Sequence, residues 1–319
     1  MTILVSGANG FVGRALSRRL SAEGRVVRAV VHRPSRNSAG QQEVILAIGP
    51  ETNWQAVLEG VEIVVHLAAH VHVLSHSSRD EDAFHEINTL GTRTLAEAAI
   101  RAGVKRLVYL STVKVHGEAS HHPFRENDVL APEDAYARSK AAAEEELKRV
   151  AKSGLMDFVI LRPPLVYGPG VKANFLTLLH AVSNRVPLPF AGITNRRSLI
   201  YLSNLVDAIA QCIVHPNAAN QSFFVSDGYD VSTPELVRAI AEAMRVRPRL
   251  FSAPKWGLEA LGKVIGKSKD VERLTSSLQV DTSTIRQRLG WKSPYSFAEG
   301  IQETVDWFLK ERAGAVRLA

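Results

Sequence analysis

The chain has almost no sulfur and no long apolar run, and both absences narrow what it does. A single cysteine, Cys212, lies inside an apolar stretch at 209–214, which excludes an internal disulfide and makes a reducing cytoplasm the expected setting. No run of about 18 uncharged apolar residues occurs, which argues against a membrane-spanning helix. A strand begins immediately at the N-terminus, without a basic region and apolar stretch before it, so no export signal is expected. Aromatic residues are sparse at 7%, and no basic stripe interleaved with aromatics appears. The basic residues group only at Arg18-Arg19, Arg196-Arg197 and Arg245 to Arg249. The formal net charge of +7 therefore points to small anionic ligands and solvated basic faces rather than to nucleic acid.

What is present suits a large packed core. Of 319 residues, 45% are hydrophobic and 22% charged, a balance that opposes general disorder. Apolar runs of strand length recur at 3–6, 26–31, 44–48, 62–67, 106–111 and 158–162. Helix-patterned stretches lie between several of them, at 12–23, 82–102 and 134–152. Strands separated by helices predict parallel pairing with right-handed crossovers, hence a Rossmann-type, doubly wound α/β sheet covered on both faces. Gly24, Gly103 and Gly154 follow the three helical stretches, where a left-handed C-terminal residue is expected. After Pro169-Gly170 the strands shorten (198–202, 222–226), and Ser203, Ser232-Thr233 and Ser296 read as helix N-caps. The expected division is a dinucleotide-binding part over 1–166, with return segments near 198–226, and a smaller substrate-binding α/β part over 167–319.

The stretch SGANGFVG (6–13) joins the first strand to the first helix, the context a dinucleotide fingerprint needs. Gly7 suits the tight turn. Gly10 lets backbone amides approach a diphosphate, and Gly13 lets the helix lie close to the sheet. The amides of Phe11, Val12 and Gly13 then open a helix whose N-terminus favours phosphate. A carboxylate usually follows the second strand to hold the adenosine ribose. Here His32, Arg33 and Pro34 stand there, with Arg36 near, and a guanidinium places NADP ahead of NAD as the expected cofactor. Further on, DAYARSK sets Tyr136 and Lys140 on one helix face. An ammonium about 4 Å from a phenol contributes roughly 4 kcal/mol at an effective dielectric of 20, lowering its pKa by about three units. Ser111 and Thr112, at the end of the fifth strand, are placed to hydrogen-bond a substrate oxygen beside that phenol.

With these residues in view, the chain resembles an extended short-chain dehydrogenase/reductase of the nucleotide-sugar epimerase/dehydratase family. The matching pieces are GANGFVG, HLAA (66–69), INTLGT (87–92), LSTVKVHG (110–117), YARSK (136–140), LRPPLVYGPG (161–170), RRSLIYLSNLVDA (196–208) and LGW (289–291), and they span nearly the whole chain. The resemblance implies catalytic roles for Thr112, Tyr136 and Lys140. It implies cofactor contacts for Leu67, Ala68, Ala69, Asn88, Ser111, Pro163 and Val166, beside the glycine turn, His32 and Arg33. For the substrate it implies His70, Thr112, Asn174, Arg197 and Arg273, the last three toward the diphosphate of a UDP-sugar. A homodimer through the helices at 82–102 and 134–152 is a further expectation of the resemblance.

Three departures refine this. His116 replaces the usual tyrosine before Gly117, and Gly49 stands where an acid usually follows the third strand. Family dehydratases carry an Asp-Glu pair directly after the catalytic threonine. Here Val113-Lys114 follows, and one lysine cannot act as both the acid and the base that removal of water needs. Two outcomes remain: reduction of a UDP-4-keto sugar, or C4 epimerisation with a retained nicotinamide. HVHV (70–73) and NRRSL (195–199) are similar to bacterial surface-polysaccharide enzymes that reduce UDP-4-keto-6-deoxy-N-acetylglucosamine, and on that likeness the reductase is placed first. A dinucleotide-sensing regulator is disfavoured by the retained Tyr136 and Lys140, and an apolar-ketone reductase by Asn174 and Arg197. The histidines His66, His70, His72 and His76 are read as lining the nicotinamide and sugar rather than as a zinc site. The apolar spacing at 255–267 is read as a lid or core helix.

Overall fold

In the computed structural model, residues 1–34, 42–71, 78–254, 256–258, 263 and 268–317 are described. Seven strands make one parallel sheet: β1 (Thr2–Ser6), β2 (Val26–Val31), β3 (Gln42–Ile45), β4 (Ile63–His66), β5 (Arg106–Leu110), β6 (Asp157–Arg162) and β9 (Gln221–Phe224). Their order is β3-β2-β1-β4-β5-β6-β9, so the chain reverses direction across the sheet between β1 and β4. Register aligns the carboxyl ends in one row. Ser6 pairs with both Val30 and His66, His66 with Tyr109, Leu110 with Leu161, and Arg162 with Phe224. A ligand crevice forms beyond such a row, at the point of reversal.

Alternate residues of each strand feed two separate cores, which is why the strands read as unbroken apolar runs. Ile3 and Val5 pack on one face with Leu16 and Leu20 of α1 (Phe11–Ala22) and Leu205 and Ile209 of α7 (Leu202–Val214). Leu4, Val64 and Leu107 pack on the other with Leu95 of α4 (Gly91–Arg101) and Leu147 of α5 (Ala135–Ala151). A second, three-stranded sheet joins β7 (Leu165–Tyr167), β8 (Arg197–Tyr201) and β10 (Asp230–Val231). Of the segment 198–226, β9 returns to the large sheet while β8 pairs in parallel with β7.

Two local readings change. The stretch at 82–102 is not one helix: α3 (Ser78–Phe84) passes through a π-helical turn, His85–Leu90, before α4 begins. The wider turn presents Asn88 to the loop after β4, a tertiary demand that helical periodicity does not carry. Ser203 is not a cap, because α7 starts one residue earlier after extended Tyr201, whose amide is taken by Asp227 Oδ1 at 2.9 Å. Ser232 does cap α8 (Thr233–Ala243), in a reciprocal capping box with Glu235. Ser296 likewise exchanges hydrogen bonds with Glu299 before the helix Phe297–Arg317.

Gly13 is fixed by space. A Cβ there would lie 2.1 Å from the Gly7 carbonyl oxygen and 2.8 Å from Ala8 Cα, both backbone atoms. Gly13→Ala is expected to cost about 3 kcal/mol in urea unfolding, as overpacking against immovable atoms does. Gly24→Ala meets nothing within 4 Å and carries only the strain of its φ of +74°, an expected loss of about 1 kcal/mol. Equal losses at the two positions would show that the turn yields to the added methyl.

Candidate functional site

The glycine turn is held at both ends. Gly7 adopts a φ of +70°, its amide donates to Val30 O at 2.9 Å, and Gly10 N donates to Gly7 O at 2.9 Å. Asn9 Nδ2 reaches the Arg33 carbonyl at 3.0 Å and ties the turn to the end of β2. Gly10 is the extended N-cap of α1, and no side chain caps the first turn. The amides of Phe11, Val12 and Gly13 thus open the helix without a capping side chain, and the turn packs so closely that a Cβ at Gly7 would meet the backbone of Ala68 and one at Gly13 that of Gly7 and Ala8. The residues present fit a dinucleotide diphosphate. His32 and Arg33 are exposed at the end of β2, and Arg36 lies outside the described residues.

The loop after β4 borders the same crevice. Ser6 Oγ accepts from the amides of Leu67 and Ala68 at 3.2 and 3.3 Å and lies 2.6 Å from His66 Nδ1. His66 Nε2 is 3.0 Å from Thr92 Oγ1. Burial, and then the charge of Lys140, bring His66 down to about 3, so its imidazole is neutral at any working pH. Leu67, Ala68, Ala69 and His70 are half-buried. Asn88 is fully enclosed: Oδ1 accepts from His70 N at 2.7 Å, and Nδ2 donates to His70 O and to Ser139 Oγ at 3.1 and 2.9 Å. Asn88 therefore fastens the loop to α5. His72 and His76 lie outside the described residues, and among the described residues no group of three or more His, Cys, Asp or Glu converges as a metal site would require.

Helix α5 carries Tyr136 and Lys140. Asp134 starts it, its Oδ1 accepting from Ala137 N at 2.7 Å. Tyr136 is half-buried, its ring edge-on to Phe84 at 6.2 Å. Lys140 is almost fully buried and points its Nζ at the Leu110 carbonyl, 2.6 Å away, over the Tyr109 ring at 4.0 Å. The expected acidification of the phenol is not what this arrangement produces. Burial, and then the charge of Asp134, raise Tyr136 above the ordinary phenol value. Burial lowers Lys140 to about 7, against the opposing pull of Glu144. The ammonium is engaged elsewhere, so one helical turn of separation alone does not couple the two groups.

Ser111 is also diverted. Its Oγ donates to Glu144 Oε1 at 2.5 Å, inside a pair in which Arg162 Nη2 and Nε meet Glu144 at 2.6 and 3.1 Å. Arg162 Nη1 reaches His116 Nε2 at 2.9 Å and the Glu126 carbonyl at 3.1 Å. Thr112, half-buried, is the N-cap of the short 3₁₀ turn Val113–Val115, its Oγ1 accepting from Lys114 N at 3.3 Å. Pro163 is buried, its carbonyl accepting from Val113 N at 2.9 Å, and Val166 is half-buried in β7.

In the later part of the chain, Arg197 Nη1 donates to Ser276 O at 3.0 Å, and burial followed by the charge of Arg273 lowers Arg197 to about 10. Arg273, in the helix Ser268–Thr275, grips Glu118 through Nε and Nη2 at 2.8 and 3.1 Å. Asn174 is exposed on the first turn of α6 (Ala173–Ser183). Sequence reasoning passed over Glu118, Asp134, Glu144 and Arg162. Only a charged residue at the end of the apolar strand DFVILR hinted at Arg162.

Burial, followed by the charge of Arg162, lowers His116 to about 4. An imidazole in the unfolded chain titrates near 6.5. The unfolded state thus binds the proton more readily between those values, and stability present above about pH 6.5 is lost as pH falls toward 4. His116→Asn is expected to remove about 3 kcal/mol of that loss when unfolding free energies are compared at the two ends of the window. An unchanged difference would mean that His116 is protonated in the fold.

The family model described as the NAD dependent epimerase/dehydratase family matches residues 3–225. A UDP-glucose 4-epimerase from Vibrio cholerae is 43% identical over 314 residues, covering 97% of this chain and 96% of that protein. One from Mycolicibacterium smegmatis is 31% identical over 334 residues, covering 97% and 98%. The solved structure of MoeE5 in complex with UDP-glucose and NAD superposes with a TM-score of 0.80 at 26% identity, covering 98% of this chain and all of that one. Given the match to the family model and the full-length relatives, the chain belongs to the NAD dependent epimerase/dehydratase family.

Proposed function

We propose that this protein is a UDP-sugar 4-epimerase that retains NAD, acting on UDP-glucose or its N-acetylated counterpart. The observation that carries the reading is the 43% identity, across 97% of the chain, to a protein named UDP-glucose 4-epimerase. The reductase reading, placed first on motif likeness, is supported by that likeness alone. NAD displaces NADP as the favoured cofactor, because the family and a superposable neighbour carry NAD in their names while Arg33 is exposed. Dehydration is disfavoured because Lys114 follows Thr112 by two and is bound to Glu118 and Asp134 at 2.7 and 2.8 Å. It is neither the free acid nor the free base that the loss of water requires.

Bound NAD supplies a nicotinamide that takes a hydride from C4 and returns it. The amides of Phe11, Val12 and Gly13 bind its diphosphate, with Gly7 and Gly10 shaping the approach. Leu67, Ala68, Ala69, Asn88, Ser111, Pro163 and Val166 form the walls around the dinucleotide, and His32 and Arg33 border its adenosine end. Thr112 and Tyr136 hold the C4 oxygen, and Tyr136 in its phenolate form accepts the proton from that oxygen. Lys140 supplies positive charge to that step. Its ammonium, which donates to the Leu110 carbonyl at 2.6 Å, would have to leave that oxygen to meet the phenol. Arg197, Arg273 and Asn174 bind the UDP diphosphate, and His70 borders the sugar. A cytoplasmic homodimer through α4 and α5 completes the reading.

Purified protein incubated with UDP-glucose and no added dinucleotide is expected to form the C4 epimer, read by chromatography of the nucleotide sugars. No product in that mixture, with NAD(P)H consumed on a UDP-4-keto sugar, would overturn the epimerase in favour of the reductase.

A further inference from the structure

Asp134 makes two contacts at the start of the tyrosine helix. Its Oδ1 caps the backbone at Ala137 N, and its Oδ2 accepts from Lys114 Nζ at 2.8 Å. The same ammonium donates to Glu118 Oε1 at 2.7 Å, and Glu118 in turn holds Arg273. These side chains are sheltered, with exposures of 26% for Lys114, 19% for Glu118 and 25% for Asp134. Solvent and salt screen such a group less than a fully exposed pair. A chain of alternating charges thus runs from the helix bearing Tyr136 to Arg273.

We propose that Lys114 is a positioning residue for proton transfer at Tyr136: its pairing with Asp134 offsets the carboxylate that caps the tyrosine helix two residues before Tyr136, and its pairing with Glu118 links that offset to Arg273. The proposal rests on the reading that Tyr136 takes the C4 proton. A negative charge beside a phenol disfavours the phenolate, and a cation on that charge restores it. Asp134 and Lys140 lie on the helix of Tyr136, and Tyr109 on β5 interacts with it electrostatically. Lys114, after β5, is bound to Asp134 and to Glu118. Phe84 stands against the ring from α3, with His70 against Phe84. Arg138, beyond Tyr136 on α5, is paired with Glu81 at 3.0 Å. Among these, Asp134 is the carboxylate whose charge raises the phenol. Its cation partner is Lys114, which occupies the position where dehydratases of this family carry an acid.

The test is the pH profile of kcat on UDP-glucose for the wild type, Lys114→Met, Lys114→Arg and the double variant Lys114→Met with Asp134→Ser. Serine keeps an N-cap oxygen while removing the charge. The acid limb, where the phenol must lose its proton, is expected to move up by about one pH unit in Lys114→Met. Turnover below that limb then falls about tenfold and recovers at high pH. Lys114→Arg should keep the wild-type limb, and the double variant should bring it back. An evenly reduced rate with an unmoved limb, or a double variant that stays shifted, overturns the proposal. Should Lys114→Met fail to fold, Asp134→Ser alone is expected to move the limb down, and an unmoved limb overturns the proposal equally. A wild type inactive on every UDP-sugar refutes the proposed function instead. The phenolate absorbance of each protein with NAD, minus that of its Tyr136→Phe counterpart, then still reports whether Lys114→Met moves the ionisation of Tyr136 to higher pH; no upward move overturns the inference.

Discussion

The ion pair of Glu144 and Arg162 is the constraint on which the site depends. The two side chains are 0% and 2% exposed, so both charges have left water at a cost of several kcal/mol each. Their geometry offsets it: two nitrogens of Arg162 meet both oxygens of Glu144, Ser111 adds a donor, and His116 Nε2 and the Glu126 carbonyl take another arginine hydrogen. Removing either charge would leave the other buried and unpaired, a loss of about 3–5 kcal/mol. The pair clamps α5 to the ends of β5 and β6. Because Lys140 lies one turn before Glu144 and Tyr136 two turns before it, the clamp decides where both stand relative to the glycine turn.

Around that clamp the site is arranged as opposed charges in low-dielectric surroundings. Lys140 is brought down to about 7 by burial, while Tyr136 is raised by burial and Asp134. Tyr136 and Lys140 are thus each disfavoured in their charged forms. The neutral His66 beneath them, held between Ser6 and Thr92, adds rigidity without adding charge. Asn88 serves the same end from the loop side, since it fastens His70 to Ser139 on α5.

Much of the fold is legible in the sequence because it is encoded locally. Unbroken apolar strands imply a sheet covered on both faces, and β1, β2, β4, β5 and β6 with α1 and α5 appear where periodicity places them, while β3 starts two residues before the expected stretch at 44–48 and ends at Ile45. Gly7, Gly10 and Gly13 are legible because a steric demand leaves one residue type. Tyr136 and Lys140 are legible because a fixed helical spacing sets them on one face. The remainder depends on residues far apart in sequence. Glu144 begins the run EEE, which reads as a solvated helix face, yet it is fully buried because Arg162, 18 residues on, folds against it. Ser111 reads as a cofactor contact, and its hydrogen bond to Glu144, 33 residues on, is not legible in the sequence. The bridge from Glu118 to Arg273 spans 155 residues. The π-turn at Asn88 answers to the loop after β4 rather than to its own periodicity. The choice between reductase and epimerase rests on whether the dinucleotide stays bound, a property no short motif carries.

The central claim is that Tyr136, on the clamped helix, accepts the C4 proton as hydride leaves for a retained nicotinamide. Rapid mixing of UDP-glucose with protein purified without added dinucleotide, followed by absorbance of the reduced nicotinamide, tests it most directly. The wild type should show reduced nicotinamide during turnover, and Tyr136→Phe should form it at least about 100-fold more slowly. Equal rates in the two proteins would contradict the claim.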